Sequence, residues 1–285
     1  MCVTCGCGNT QEATLSTAAG TVEHEHEHEH AHGEHEHVHA DGTRHTHSHG
    51  HAHQPVTQVP GRDAYLIQLE AQVLGKNQLL AERNRGWLTG RGILALNLLS
   101  SPGAGKTTLL ERTLSDLKGE LTATVVEGDQ ATSNDAERIR ATGVRAVQIN
   151  TGTGCHLEAD MLQRALTALQ PPPASLLLIE NVGNLVCPAL FDLGEHAKVV
   201  IFSVTEGEDK PLKYPHMFAA ARLLLLSKID LLPHVRFDAE LAVANALRVN
   251  PDLSVLRLSA YSGEGLSEWY GWLRNERAAC ARAAA

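Results

Sequence analysis

From residue 93 onward, apolar residues come in short continuous runs separated by segments with helical spacing. Residues 93–99 (ILALNLL) read as a buried strand and residues 106–117 as the helix that follows it. The pattern continues with a strand at 122–126, a helix at 135–141, a strand at 146–149 and a helix at 157–169 that Pro171-Pro172-Pro173 stops. Strands at 175–179, 198–204, 223–226 and 255–258, with helices at 238–249 and 266–274, complete the series. Continuous apolar strands alternating with helices indicate an α/β domain built on a mainly parallel sheet covered on both faces. Ahead of it, residues 63–85 place Leu66, Leu69, Val73, Leu79 and Leu80 at helical spacing, so a leading helix is expected to pack on the domain.

The first 60 residues lack such a pattern. Residues 9–60 contain few large apolar side chains and hold 13 of the chain's 17 histidines: His24, His26, His28, His30, His32, His35, His37, His39, His45, His47, His49, His51 and His53. Such a segment buries too little surface to offset chain ordering and is expected to be disordered. Its imidazoles are mostly neutral at pH 7 and suit weak, multivalent binding of divalent metals such as nickel, zinc, copper or cobalt. An unselected solubilising linker is the alternative. Residues 1–60 carry eight acids against the single base Arg44, whereas the whole chain has a formal charge of −9. The remaining residues are thus nearly neutral, and an overall basic nucleic-acid binder is excluded as the default.

The amino terminus reads Met1-Cys2-Val3-Thr4-Cys5-Gly6-Cys7-Gly8. It has neither a basic start nor an apolar core, so no signal peptide is expected, and no apolar run reaches the roughly 20 residues that span a bilayer. A cytoplasmic protein without a membrane anchor is the expectation, with thiols serving as ligands or nucleophiles rather than disulfides. Cys2, Cys5 and Cys7 would set three soft thiolates around one ion, with Gly6 and Gly8 allowing the chain to fold about it. A redox Cys-x-x-Cys is the alternative. The expected organisation is a cysteine motif at 1–8, a histidine-rich tail at 9–60 and the α/β domain with its leading helix at 61–285.

After the first strand comes Ser100-Ser101-Pro102-Gly103-Ala104-Gly105-Lys106-Thr107-Thr108. It matches the phosphate-binding pattern G-x4-G-K-[ST], with Ser100 in place of the first glycine. Gly103, Ala104 and Gly105 would turn backbone N–H groups onto phosphate oxygens at a helix N-terminus. Lys106 would reach the β- and γ-phosphates, Thr107 would bind magnesium, and Thr108 would complete the cradle.

Ser227-Lys228-Ile229-Asp230, at the end of a later strand, resembles the guanine-specifying [NT]-K-x-D. Asp230 would accept from two guanine N–H groups that adenine does not present, and Lys228 would lie along the base. Ser259 and Ala260 would close the pocket over the guanine carbonyl. Glu180-Asn181-Val182-Gly183 follows a strand where nucleotide hydrolases carry an acid and a glycine that senses the γ-phosphate. Glu127-Gly128-Asp129 sets Asp129 near the expected magnesium and attacking water. Magnesium is therefore assigned to Thr107, Asp129 and Glu180, and catalysis to Lys106 and Asp129.

Two further cysteines tie this machinery to metal. Thr151-Gly152-Thr153-Gly154-Cys155-His156 is expected to open a helix whose N-terminus stabilises a Cys155 thiolate. Cys187 lies seven positions beyond Glu180. Buried core cysteines are the plain alternative; a metal site at Cys155, His156 and Cys187 is the sharper one. Three ligands leave a tetrahedron open, and sharing across a two-fold dimer would close it. Cys280 carries no pattern.

Together these residues resemble the hydrogenase nickel-incorporation GTPases (the HypB family). The likeness covers Cys2, Cys5 and Cys7, the histidine-rich insert, residues 101–108, Cys155-His156, Glu180-Asn181-Val182-Gly183, Cys187 and Ser227-Lys228-Ile229-Asp230. The resemblance implies a SIMIBI-class P-loop fold, magnesium-dependent hydrolysis of GTP to GDP, and nucleotide-linked homodimers. It also implies high-affinity nickel at Cys2, Cys5 and Cys7, weaker nickel or zinc at Cys155, His156 and Cys187, and passage of nickel, with a companion nickel metallochaperone, to the precursor of the hydrogenase large subunit. A nickel store with an incidental GTPase is the competing function.

Overall fold

The computed structural model describes residues 62–129 and 134–284, together with three short strands nearer the amino terminus. Eight strands form the main sheet in the order β1-β6-β5-β7-β4-β8-β9-β10. Here β4 is Leu94–Ser100, β5 Ala123–Asp129, β6 Arg145–Asn150, β7 Leu176–Glu180, β8 Ala197–Ser203, β9 Leu223–Ser227 and β10 Ser254–Arg257. All seven are parallel, and β1 (Thr14–Ser16) pairs antiparallel with β6 at the edge. The expected α/β architecture is thus the observed one, with each strand displaced from its expected bounds by a few residues at most.

Period-two alternation explains how one sheet carries two cores. Leu94, Leu96 and Leu98 of β4 pack with Leu176 and Leu178 of β7 beneath α2 (Lys106–Asp116) and α9 (Leu266–Ala283). Trp269 of α9 is buried there, and its indole N–H donates to Thr113 Oγ1 at 3.0 Å. Ala95, Leu177 and Ile179 face the opposite side, against α1 (Arg62–Thr89) and α4 (Ala159–Leu169). A third cluster, with Met217 and Phe218 of α7 (Pro215–Ala219) and Ala242 and Ala246 of α8 (Ala239–Val249), covers β8 and β9. The helix α9 runs nine residues beyond its expected end, because its alanine-rich continuation lacks an apolar stripe although alanine favours helix strongly.

Four short elements escape the apolar pattern: α5 (Cys187–Leu190), α6 (Lys210–Lys213), α7 and a 3-10 turn (Ile229–His234). Each spans four to six residues, too few for periodicity to register. Within the histidine-rich tail, β2 (His35–Val38) and β3 (Arg44–His47) pair antiparallel, and β1 also lies in that segment. The Cys2, Cys5 and Cys7 motif and the rest of the tail, including His24, His26, His28, His30, His32, His39, His49, His51 and His53, lie outside the described residues. Among the described residues no helix is long and apolar enough to cross a membrane.

The leading helix α1 docks where Gly194 permits it, through Asn77, Ala81, Asn84 and Leu88; Val73 and Leu79, expected on its packed face, are exposed instead. Gly194 sits at φ +88°, and a Cβ there would come within 2.3 Å of the Ala81 carbonyl oxygen and 2.7 Å of the Arg85 nitrogen. Both the backbone conformation and the contact exclude a side chain. Gly194→Ala should therefore destabilise the protein by more than about 2 kcal/mol in denaturant titration, with α1 loosened; a change within error would show that the helix has room to shift.

Candidate functional site: a phosphate cleft beside a cysteine–histidine cluster

All the parallel strands deliver their carboxyl ends to one edge, and the chemistry collects there. Between β4 and α2 the chain turns through Gly103 at φ +73° and Gly105 at φ +99°, a left-handed conformation that glycine adopts without strain. Lys106 opens α2 and donates to Ser100 Oγ at 2.7 Å. The serine that replaces the usual glycine thus accepts the lysine's hydrogen bond. Burial pushes the Lys106 ammonium down, opposed by Glu180 nearby. The loop borders a cleft of about 530 Å³, within the size range of small-molecule sites.

Thr107 Oγ1 donates to Glu180 Oε1 at 2.8 Å, joining the loop to the end of β7. Glu180 is buried, its second oxygen has no hydrogen-bond partner among the described residues, and burial raises its carboxyl above the usual range. Glu127, at the end of β5, is a site residue that the motifs did not single out. Its Oε2 is likewise buried without a hydrogen-bond partner among the described residues, and its pKa is pushed up to about 8 by burial, with Glu180, Asp135 and Asp129 adding repulsion. The signal was an acid inside the otherwise apolar run Ala123-Thr124-Val125-Val126 that leads into it. Asp129 lines the same cleft. A hydroxyl, two orphaned carboxylate oxygens and a further acid match the hard oxygen donors that magnesium takes, so the residues fit that ion.

Base-side residues converge next to the loop. Lys228, at φ +60°, donates from Nζ to the Gly103 carbonyl at 2.7 Å. Ser227 Oγ donates to the Ala104 carbonyl at 3.0 Å. The serine that stands for the usual asparagine therefore braces the phosphate loop directly. A side cleft of about 280 Å³ brings Thr108, Asp230, Ser259 and Ala260 together with Lys228. Ser259 Oγ accepts from the backbone N–H groups of Tyr261 and Ser262 and so shapes the loop over the pocket.

Behind the phosphate cleft, donor atoms of Cys155, His156 and Cys187 lie within 4.8 Å of one another. Cys187 is fully buried at the start of α5. Cys155 Sγ is 3.5 Å from His156 Nδ1, and the imidazole stacks on Phe191 with centroids 3.9 Å apart. His156 Nε2 is buried without a hydrogen-bond partner among the described residues, and burial pushes the ring's pKa down to about 4. The imidazole is therefore neutral at pH 7, with a lone pair available to metal. One expectation is corrected: Cys155 and His156 do not begin a helix. A turn closed by the Gly154 N–H on the Thr151 carbonyl, at 2.8 Å, comes first, Cys155 and His156 form the bend after it, and α4 starts at Ala159. Any effect of that helix's dipole on Cys155 acts from beyond its first turn, where it has faded. Cys280 lies elsewhere, 3.5 Å from His196 Nδ1.

A glycine-rich loop between the first parallel strand of the core and its helix, with the acid of a neighbouring strand held on the loop's threonine, defines a P-loop nucleotide-binding protein. Residues 94–257 match the CobW/HypB/UreG nucleotide-binding domain. The hydrogenase maturation factor HypB of Rhizobium leguminosarum bv. viciae is 60% identical over 216 residues, covering 75% of this chain and 72% of that protein. The HypB of Escherichia coli K12 is 56% identical over 224 residues, covering 78% and 77%. Among solved structures, HypB of Archaeoglobus fulgidus superposes with a TM-score of 0.68 at 40% identity, covering 72% of this chain and all of that one. HypB of Helicobacter pylori in complex with nickel gives 0.66 at 38% identity, covering 71% and 95%. The chain belongs to the HypB family of hydrogenase maturation factors.

The raised Glu127 carboxyl makes a pH-dependent prediction. Its pKa is about 8 in the folded protein against 4.5 for the ordinary group, so between these values the folded state holds a proton that the unfolded chain has released. Stability from this group is present below about pH 4.5 and is lost as pH rises towards 8. In nucleotide-free, metal-free protein, Glu127→Gln should raise the melting temperature at pH 8, with the gain shrinking at pH 5. A gain independent of pH would contradict this assignment.

Proposed function

We propose that this protein is a GTP-hydrolysing nickel metallochaperone that binds nickel, stores it and delivers it for maturation of a nickel-containing hydrogenase. Asn181 carries this reading. Its backbone follows Glu180, which holds Thr107, while its side-chain oxygen accepts from the Leu157 N–H at 3.1 Å, next to His156. A change at the phosphate cleft therefore reaches the metal ligands through one residue. On the other side of that turn, a Cβ at Gly183 would lie 3.2 Å from Pro102 Cα, so the segment leading to Cys187 rests against the phosphate loop.

In this mechanism the loop amides and Lys106 bind the β- and γ-phosphates and neutralise charge that develops as water attacks the γ-phosphate in line. Thr107, Glu180 and Asp129, with Glu127, would hold magnesium, which supplies further charge neutralisation to the phosphates. Asp230 selects guanine, and Lys228 orders the loop beneath the base. Asp129 orients the attacking water. Loss of the γ-phosphate releases Gly183 and the following segment, which shifts Cys187 and Phe191 relative to Cys155 and His156. Nickel, or zinc in its place, is then held differently in the GTP and GDP states. Linkage requires metal to alter nucleotide affinity by the same factor. A GTP-linked homodimer would complete the coordination, and the Cys2, Cys5 and Cys7 motif and tail histidines would load it. A companion metallochaperone and the hydrogenase large-subunit precursor are the expected partners.

Nickel titration into the GDP-bound and GTP-analogue-bound forms should give different affinities at the Cys155–His156–Cys187 site; equal affinities would sink the switch. Lys106→Ala should abolish hydrolysis and nickel transfer to the hydrogenase precursor at limiting metal. Continued transfer would instead favour a store with an incidental GTPase. Asp230→Asn should weaken GTP by about 100-fold and admit xanthosine triphosphate, whose extra carbonyl accepts where guanine donates.

A further inference from the structure

Helix α1 touches both ligand-bearing segments of the metal cluster, and it does so twice. Asn77 is buried, and its side-chain oxygen accepts from the Ala159 N–H at 2.8 Å, three residues after His156. Its amide nitrogen donates to the Asp192 carbonyl at 2.7 Å, one residue after Phe191 and five after Cys187. Asn84, two turns further along the same helix face and also buried, donates to the Ala159 carbonyl at 2.8 Å and to the Leu193 carbonyl at 3.0 Å. Arg85 adds a hydrogen bond to the Glu195 carbonyl at 2.8 Å and an ion pair with Asp192.

Simple helix packing does not call for this arrangement. The first N–H groups of α4 need acceptors, and its N-cap residue Glu158 makes no side-chain cap. Asn77 supplies that acceptor from another helix. Each asparagine spends its remaining capacity on the loop after α5, so one rigid element fixes the distance between the Cys155-His156 turn and the Cys187–Phe191 segment. Gly194 lets α1 approach closely enough for this, as described above.

We infer that α1 is a built-in clamp on the metal cluster, with Asn77 and Asn84 as positioning residues that set its affinity. The inference rests on metal binding at Cys155, His156 and Cys187. Metal binding then favours the docked helix, and by linkage a docked helix tightens the metal. The hydrogen bonds of α1 fall on Ala159, Asp192, Leu193 and Glu195 and on none of the groups that hold Lys106 and Thr107, so loosening it weakens the cluster first and the phosphate cleft little.

The test uses the full chain with Cys2, Cys5, Cys7 and Cys280 each changed to Ser, so that the sulfur-to-nickel charge-transfer band reports the inner cluster alone. Nickel is titrated against a competing chelator, and GDP affinity is measured separately on the nickel-free protein, where linkage to metal plays no part. Asn77→Ala and Asn84→Ala should each weaken nickel by about 10-fold, the effect typical of losing a partner that orients metal ligands. GDP affinity should stay within about twofold, which a general loss of structure would not allow. Leu79→Ser, on the exposed side of α1, should leave both values unchanged. Hydrogen exchange on the unsubstituted helix gives a second arm: saturating nickel should slow exchange of the amides of residues 77–85 and Ala159. Unchanged nickel affinity in both asparagine variants would overturn the clamp, as would exchange indifferent to nickel while the band is present. If the band is missing from the parent, the metal site itself fails, a result distinct from either of these.

Discussion

The Asn181 side chain makes three hydrogen bonds in a region from which water is excluded, and they reach different parts of the molecule. Its oxygen accepts from the Leu157 and Val182 N–H groups, and its nitrogen donates to Asn97 Oδ1 in the middle of β4. Asn97 in turn donates to Glu195 Oε1, whose other oxygen accepts from the Leu193 N–H. Each of these groups would cost about 1–3 kcal/mol if left buried and unpaired, so the network holds together or fails as a unit. The end of β7, the turn before α4 and the loop after α5 thus take their relative positions from one buried chain of polar groups. The rest of the site is arranged around that spacing.

The charge arrangement on the other side of Glu180 has the opposite character. Glu127, Glu180, Asp129 and Asp135 border one cleft with Lys106, and the protein leaves two carboxylate oxygens there without donors. Burial raises both glutamates and lowers Lys106, so the protein alone does not neutralise the cleft well. Such imbalance is stabilised by whatever binds: phosphate brings negative charge to Lys106 and the loop amides, and a cation brings positive charge to the acids. The resting protein is satisfied at its hinge and unsatisfied at its cleft, which is where ligand binding gains most.

Much of this was legible in the chain. Strand–helix alternation gave the sheet, and Gly103, Gly105, Lys106 and Thr107 gave the phosphate loop, because both depend on local pattern. Cys155, His156 and Cys187 were legible as chemistry, although the bend at His156 was not, since the Leu157 N–H that follows it finds its acceptor on Asn181, 24 residues away. Glu127 was hidden by the neighbouring Asp129, which fits the motif more obviously. The roles of Asn77 and Asn84 were illegible for a different reason. On a helix they look like polar interruptions of an apolar stripe, and their partners lie 75 to 115 residues away. The two serines at 100 and 227 looked like departures from their motifs. Their hydroxyls serve the loop directly, Ser100 as acceptor for Lys106 and Ser227 as donor to Ala104.

Phe191 has one more consequence. It stacks on His156 and lies four residues beyond Cys187, so the same short segment supplies a sulfur donor and the aromatic wall that fixes the imidazole plane. Displacing that segment would withdraw both at once. On the proposed function, metal retention would then have few intermediate grades, the centre being whole while the segment is seated and losing two supports when it lifts. Such a carrier would release its cargo steeply, over a narrow range of segment positions, instead of leaking it in proportion to each small movement of the chain.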